Sequence, residues 1–170
     1  AFLVENVPGF AQARFNVPRE AFLAAAEGLG YTPGTALLRA TDFGVPQNRR
    51  RWFCVGFRSL RAMNRFRWPA PTPGRPVTVR EALAGFAGVV APVSPRVEER
   101  MADRSWIIAR KHPPASLDEP SRTVTANWSR GGYYGLVDTD HGLKRFTPFA
   151  MSLLQGFPAG FDWSPVAPTV

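Results

Sequence analysis

The chain has 170 residues, 45% hydrophobic and 20% charged, the make-up of about one globular domain rather than a disordered chain. Its one cysteine, Cys54, excludes a disulfide scaffold and a Cys-x-x-Cys zinc site, and no run of about 18 apolar residues is present to cross a membrane. Twenty-one basic residues oppose 13 acidic ones for a net charge of +8. All the basic residues but Lys111 and Lys144 are arginine, which a GC-rich genome also produces. Their distribution is local, however: between Arg39 and Arg67 lie eight arginines and a single acid, Asp42, a block that favours a polyanionic partner.

In chain order, residues 1–4 read as the end of a buried strand, and Glu5-Asn6-Val7-Pro8-Gly9 as the turn after it. Open α/β sheets bind ligands just outside such strand ends. Pro18-Arg19-Glu20 opens a helix over Ala21–Gly28, with Gly28 or Gly30 as its stop. A short strand is predicted at 37–40, a loop at 44–48 and a strand at 51–57, which together make an α/β pattern. Residues 68–76 hold four prolines and read as an extended linker. Beyond them come a short helix at 79–86, irregular chain over 88–121, a short strand at 122–126, a Gly- and aromatic-rich loop at 127–135, and a helix at 147–154 that ends on Gly156 with Pro158 beyond. The tail from 164 reads as frayed. The first residues carry no Met, basic n-region or cleavage site, so the sequence is expected to begin inside a longer protein.

Two groups carry chemistry. Glu5 is either a turn carboxylate or a half-desolvated acid at a ligand-binding strand end, able to donate a hydrogen bond or a proton. In Gln47-Asn48-Arg49-Arg50-Arg51, extended chain sends Arg49 and Arg51 to one face and Arg50 to the other. The two guanidiniums then suit the Glu5 carboxylate together with a substrate oxygen or phosphate; a solvated basic loop is the alternative. Cys54, inside an apolar strand, reads as an inert buried thiol, and His112 and His141 as surface residues.

These pieces, in this order, resemble the C-terminal half of DNA cytosine-5 methyltransferases. Phe2-Leu3-Val4-Glu5-Asn6-Val7-Pro8-Gly9-Phe10 resembles the family's Glu-Asn-Val motif, and Ala40 to Arg51 its Gln-x-Arg-x-Arg motif. Pro120 to Ala126 resembles a segment of its target-recognition region, and Lys144 to Phe161 its Arg-x-Leu-Thr-x-x-Glu motif with the trailing Leu-Gln-Gly-Phe-Pro. The resemblance implies an α/β fold: the C-terminal part of a Rossmann-like S-adenosylmethionine-dependent methyltransferase domain with a small, irregular, mostly β target-recognition region. The implied division is 1–67 as partial catalytic domain, 68–142 as linker and target recognition, and 143–170 as the return to the catalytic domain.

The implied reaction moves a methyl group from S-adenosylmethionine to C5 of a cytosine flipped out of duplex DNA, after a Pro-Cys cysteine attacks C6. By resemblance Glu5 binds the cytosine N3 edge, Arg51 its O2 or a neighbouring phosphate, and Arg49 positions Glu5. Asn6, Gln47, Asn127, Ser129, Arg130 and Tyr133 are the further substrate-binding candidates, since Asn and Arg read base edges. A cytoplasmic place in a bacterium or phage-infected cell is implied.

The sequence also departs from the pattern. It has no Pro-Cys-Gln and no Phe-x-Gly-x-Gly cofactor loop, and it ends before the family's final Gly-Asn. Lys144, Phe146 and Ala150 replace the usual Arg, Leu and Glu, and the Ala150 change is expected to loosen the link between the two domains. Half an active site is therefore expected, inactive alone. The missing N-terminal half lies in the same chain or in a separate subunit of a split enzyme; a non-catalytic DNA-binding module is the alternative. An isolated chain is expected to expose strand edges and apolar faces.

Overall fold

A computed structural model describes residues 1–102, 113–125 and 135–164. It divides into two compact units, residues 1–43 with 49–74 and residues 44–48 with 75–164. Residues 143–164 belong with the second unit, where the sequence expectation attached them to the first part.

The first unit is a three-stranded antiparallel sheet in the order β1-β4-β2, formed by β1 (Phe2–Asn6), β2 (Thr32–Arg39) and β4 (Arg50–Phe57). β1 runs two residues further than the sequence suggested, so Glu5 lies within the strand rather than after it. β2 starts five residues earlier than predicted, because an edge strand tolerates Pro33 and Gly34. Register alternates the side chains. Phe2, Val4 and Asn6 share a face with their partners Gly56, Cys54 and Trp52, whereas Leu3 and Glu5 share the other with Val55 and Phe53.

Helix α1 (Asn16–Gly28) covers the first of these faces. Phe22 meets Phe2 at 6.1 Å and Trp52 at 6.3 Å edge-on, and Phe10 meets Trp52 at 5.0 Å. Gly56 has no Cβ because the Phe2 ring occupies that space, and the Met63 methyl of α2 (Leu60–Arg65) does the same over Gly34 on the opposite face. Among the described residues β1 has one strand neighbour, and Leu3 and Val7 on its line are 66% and 54% exposed. The expected open edge and apolar surface are therefore present.

The second unit holds the short parallel pair β3 (Gln47–Asn48) with β6 (Ser121–Arg122). It also holds an antiparallel sheet ordered β5-β8-β7, from β5 (Val90–Pro92), β7 (Leu136–Thr139) and β8 (Gly142–Phe146). Helices α3 (Val79–Leu83) and α5 (Pro148–Leu154) pack a core of Val79, Leu83, Val137, Phe146, Ala150 and Leu154; α4 spans Pro95–Ala102. Thr147 caps α5, accepting from the Ala150 N–H, and Gly156 stops it at φ +87°.

The N-terminus of α3 is closed by a capping box. The Glu81 N–H donates to Thr78 Oγ1, and the Thr78 N–H donates to Glu81 Oε2 at 2.9 Å. Arg75 pairs with the same carboxylate and, with the Thr78 donors, holds its pKa down to about 2. Among the described residues no helix is long and apolar enough to cross a membrane, and no cluster of His, Cys, Asp and Glu could hold a metal.

Two outcomes are expected. Gly56→Ala forces the Phe2 ring off Trp52's face of the sheet and lowers stability by about 1–3 kcal/mol, measured by equilibrium unfolding. Glu81 is ionised in the fold far below its ordinary 4.5, so its contribution is complete above 4.5 and is lost as the pH falls through about 2. The acid limb of the unfolding midpoint should therefore be shallower in Glu81→Gln than in the parent chain.

Candidate active site

Glu5 pairs across the ladder with Phe53, and Arg51 stands two residues before Phe53 on the same face. That diagonal relation brings long side chains within reach of one another. Arg51 Nε lies 2.9 Å and Arg49 Nη2 3.3 Å from the same oxygen, Glu5 Oε1. Arg51 is steadied by a second bond, its Nη1 donating to the Arg50 carbonyl at 2.7 Å. Arg50 points to the opposite side, beside Arg39 in register.

Both contacts fall on Oε1, and among the described residues no donor meets Oε2. The group thus presents one oxygen held by two cations and one oxygen open to a ligand. Such a carboxylate can accept from an amino or ring N–H, and once protonated it can donate. The desolvation expected of Glu5 is absent. Its side chain is 47% exposed, because the flanking Leu3 and Val7 face solvent on an edge strand.

The other candidates fall elsewhere. Asn6 faces the Trp52 side, opposite Glu5, and its Oδ1 accepts the Val7 N–H at 2.8 Å, closing the turn. Gln47 belongs to the second unit and is 1% exposed; its Nε2 donates to the Leu154 carbonyl at 3.4 Å, while its buried Oε1 meets no donor among the described residues. Asn127, Ser129, Arg130 and Tyr133 lie outside the described residues, as does His112. His141 sits in the exposed turn between β7 and β8. Cys54 is wholly buried on the face opposite Glu5, and burial pushes its thiol up, away from the reactive thiolate.

Sequence reading missed Phe53, the ring that underlies Glu5 across the ladder, although its place two residues after Arg51 in an apolar strand signals it. It also missed the parallel pairing of Gln47–Asn48 with Ser121–Arg122, which joins positions over 70 residues apart and leaves no local signature.

The fold matches methyltransferases of known structure. A methyltransferase of Entamoeba histolytica, EhMeth, superposes with a TM-score of 0.67 at 14% identity, over 98% of this chain and 53% of that one. The Dnmt2 methyltransferase of S. pombe gives a TM-score of 0.63 at 20% identity, over 95% of this chain and 55% of that one. In sequence, the type II methyltransferase M.Bsp6I of Bacillus sp. (strain RFL6) is 31% identical over 85% of this chain and 50% of its own length. Residues 1–102 match the family of C-5 cytosine-specific DNA methylases. The chain belongs to that family, and it spans about half the length of the curated relatives it matches.

The geometry ranks the two arginines. A double-mutant cycle by equilibrium unfolding should show a larger coupling for Glu5 with Arg51 than with Arg49. Both values should stay below about 1 kcal/mol because the carboxylate is exposed, and both should shrink in concentrated salt.

Proposed function

We propose that this chain supplies the base-binding half of a DNA cytosine-5 methyltransferase active site, in an enzyme that transfers a methyl group from S-adenosylmethionine to C5 of a cytosine flipped from duplex DNA. The observation that carries this reading is the meeting of Arg49 and Arg51 on one oxygen of Glu5 in a chain of the C-5 cytosine methylase family.

Glu5 takes the amino and N3 edge of the cytosine through its open oxygen. A proton or hydrogen bond delivered at N3 draws electrons from C6 and lowers the barrier to attack there. Arg51 steadies the carboxylate and binds the cytosine O2 or the adjoining phosphate; Arg49 positions Glu5.

S-adenosylmethionine supplies the methyl group when bound, but the described residues do not fit it. The groove between β1 and α1, about 230 Å³, is lined by Phe2, Val4, Phe22, Ala25, Leu29 and Tyr31 and offers one phenol to a ligand with a carboxylate, an ammonium and a ribose. The methyl donor and the attacking cysteine are therefore assigned to the half of the fold outside this sequence, in the same polypeptide or in a second subunit. The absence of Pro-Cys-Gln also supports a second reading, a DNA-binding subunit of a split enzyme that performs no chemistry by itself. The relatives' description as type II methyltransferases supports a role in a bacterial restriction-modification system, in the cytoplasm.

The test begins with the DNA upstream of the codon for Ala1. An open frame carrying Pro-Cys-Gln makes the continuous protein the enzyme. In that protein, Glu5→Gln should lower transfer of labelled methyl to duplex DNA by about 100-fold or more while DNA affinity changes little. The 170-residue chain by itself should transfer none. Full activity in Glu5→Gln would remove Glu5 from the reaction.

A further inference from the structure

Arg49 and Arg51 reach the same oxygen of Glu5 from differently supported backbone. Arg51 lies inside β4, opposite Leu38 of β2 and next to Trp52, which pairs with Asn6 of β1. Arg49 belongs to no strand. It is the residue between β3, which ends at Asn48, and β4, which begins at Arg50. Its contact is also the longer, 3.3 Å against 2.9 Å, and its side chain is the more exposed of the two. The Ala40 N–H holds its carbonyl at 2.8 Å, on the side that leads into β4. On the other side, its place is set by Gln47 and Asn48.

Those two residues are tied down at several points. Gln47 pairs in parallel register with Ser121, and Asn48 with Arg122. The Ser121 N–H donates to the Pro46 carbonyl at 2.8 Å, and Thr123 Oγ1 donates to the Asn48 carbonyl at 3.3 Å. The innermost point is the Gln47 side chain. It is fully buried, with Nε2 on the Leu154 carbonyl at 3.4 Å and Oε1 meeting no donor among the described residues. Stability gives this amide little reason to be there. A hydrogen bond so long is weak, and a buried acceptor left over costs free energy. Methionine, unbranched and of similar length, fills such a site without a polar atom that needs a donor. What the amide adds is direction, because its donor must face one carbonyl and that fixes how the side chain and its backbone lie.

We infer that Gln47 is a positioning residue for Arg49. About 6.6 Å of extended chain separates the two Cα atoms, too short a span to absorb a shift at the buried end. The amide fixes where the chain leaves β3, and Ala40 fixes where it enters β4. Arg49, held between, is thereby aimed at Glu5 Oε1, which leaves Oε2 for a ligand. Without the amide that aim is lost, and the Glu5 carboxylate is free to turn about its one remaining tie, to Arg51. This inference rests on the proposed function, in which Glu5 takes the cytosine edge.

The test uses the complete enzyme, either the continuous protein or this chain with the subunit that completes it, and follows labelled methyl transfer to unmethylated duplex DNA of mixed sequence. Four proteins form a cycle: the parent, Gln47→Met, Arg49→Gln and the double variant. Arg49→Gln keeps Arg51 on Glu5 and so retains activity to compare. Gln47→Met should lower kcat about tenfold or more with KM for DNA unchanged. In the Arg49→Gln background the same change should have no further effect, within about twofold. An amide that only supports the fold gives instead the same proportional loss in both backgrounds. Asn48→Gly leaves the buried core alone and loosens only the link from Gln47 to Arg49. It should repeat the loss of kcat and the non-additivity with melting close to the parent's, and it decides the matter where Gln47→Met does not fold. A parental kcat in Gln47→Met, or an equal loss with and without Arg49, overturns the positioning role while Glu5→Gln still impairs transfer. No transfer by the parent enzyme overturns the proposed function and this inference together.

Discussion

The register between β1 and β4 decides what this chain can present to a ligand. Side chains alternate along a strand, so a slip of one residue would carry Glu5 to the face of Trp52 and Phe22 and Arg51 away from it. The register is held on the other side of the sheet. The Phe2 ring sits where a Cβ of Gly56 would be, Phe22 wedges against Phe2 and Trp52, and Phe10 closes on Trp52. Aromatic packing under α1 thus fixes a charged arrangement on the other side of the pleat, a face that α2 shares further along, over Gly34 and against Phe57.

How far the sequence disclosed this varies with the range over which each feature is encoded. The apolar runs Trp52–Phe57 and Phe2–Val4 are local, and the two strands follow from them. Helix α5 is bracketed by its own stop, Gly156. β2 was read short because Pro33 and Gly34 argue against strand, an argument that holds for central strands and not for an edge. α2 was read as nothing, since its three polar residues, two of them arginines, leave no clear apolar stripe over so short a span. β7 and β8 are too short for periodicity to register. The arginine alternation was legible from period two, and Glu5 was named as its partner; that both guanidiniums fall on one oxygen, Oε1, 44 residues before Arg49, follows only from the ladder.

The second unit explains two substitutions against the family pattern in terms of burial. Ala150 is fully buried among Val79, Val137 and Leu154, and a carboxylate there would lose its hydration without a partner in that core. Phe146, 3% exposed, fills the same core from the end of β8. Gln47 is the polar exception. Its Nε2 reaches the last carbonyl turn of α5, and its neighbour Pro46 accepts the Ser121 N–H at 2.8 Å. The first residue of the Gln-x-Arg-x-Arg motif is therefore an internal strut of its unit, whereas the arginines of the motif are outward groups of the other.

Charge arithmetic ties the motif to the proposed substrate. A lone carboxylate in a DNA-facing site repels phosphate, and a cytosine edge requires one. Two guanidiniums on Oε1 resolve the conflict: they leave the Glu5 group with a net positive charge while Oε2 stays open for hydrogen bonding. A single arginine would give a neutral pair with no pull on the backbone, and a buried acid would depend on the other half of the fold to enclose it. On the proposed reading the pair of arginines prepares the site electrostatically before that enclosure, inside a unit with ten arginines against four acids. On the same reading the exposure of Glu5 belongs to a half-site, and its desolvation falls to the part of the enzyme proposed to cover Leu3 and Val7.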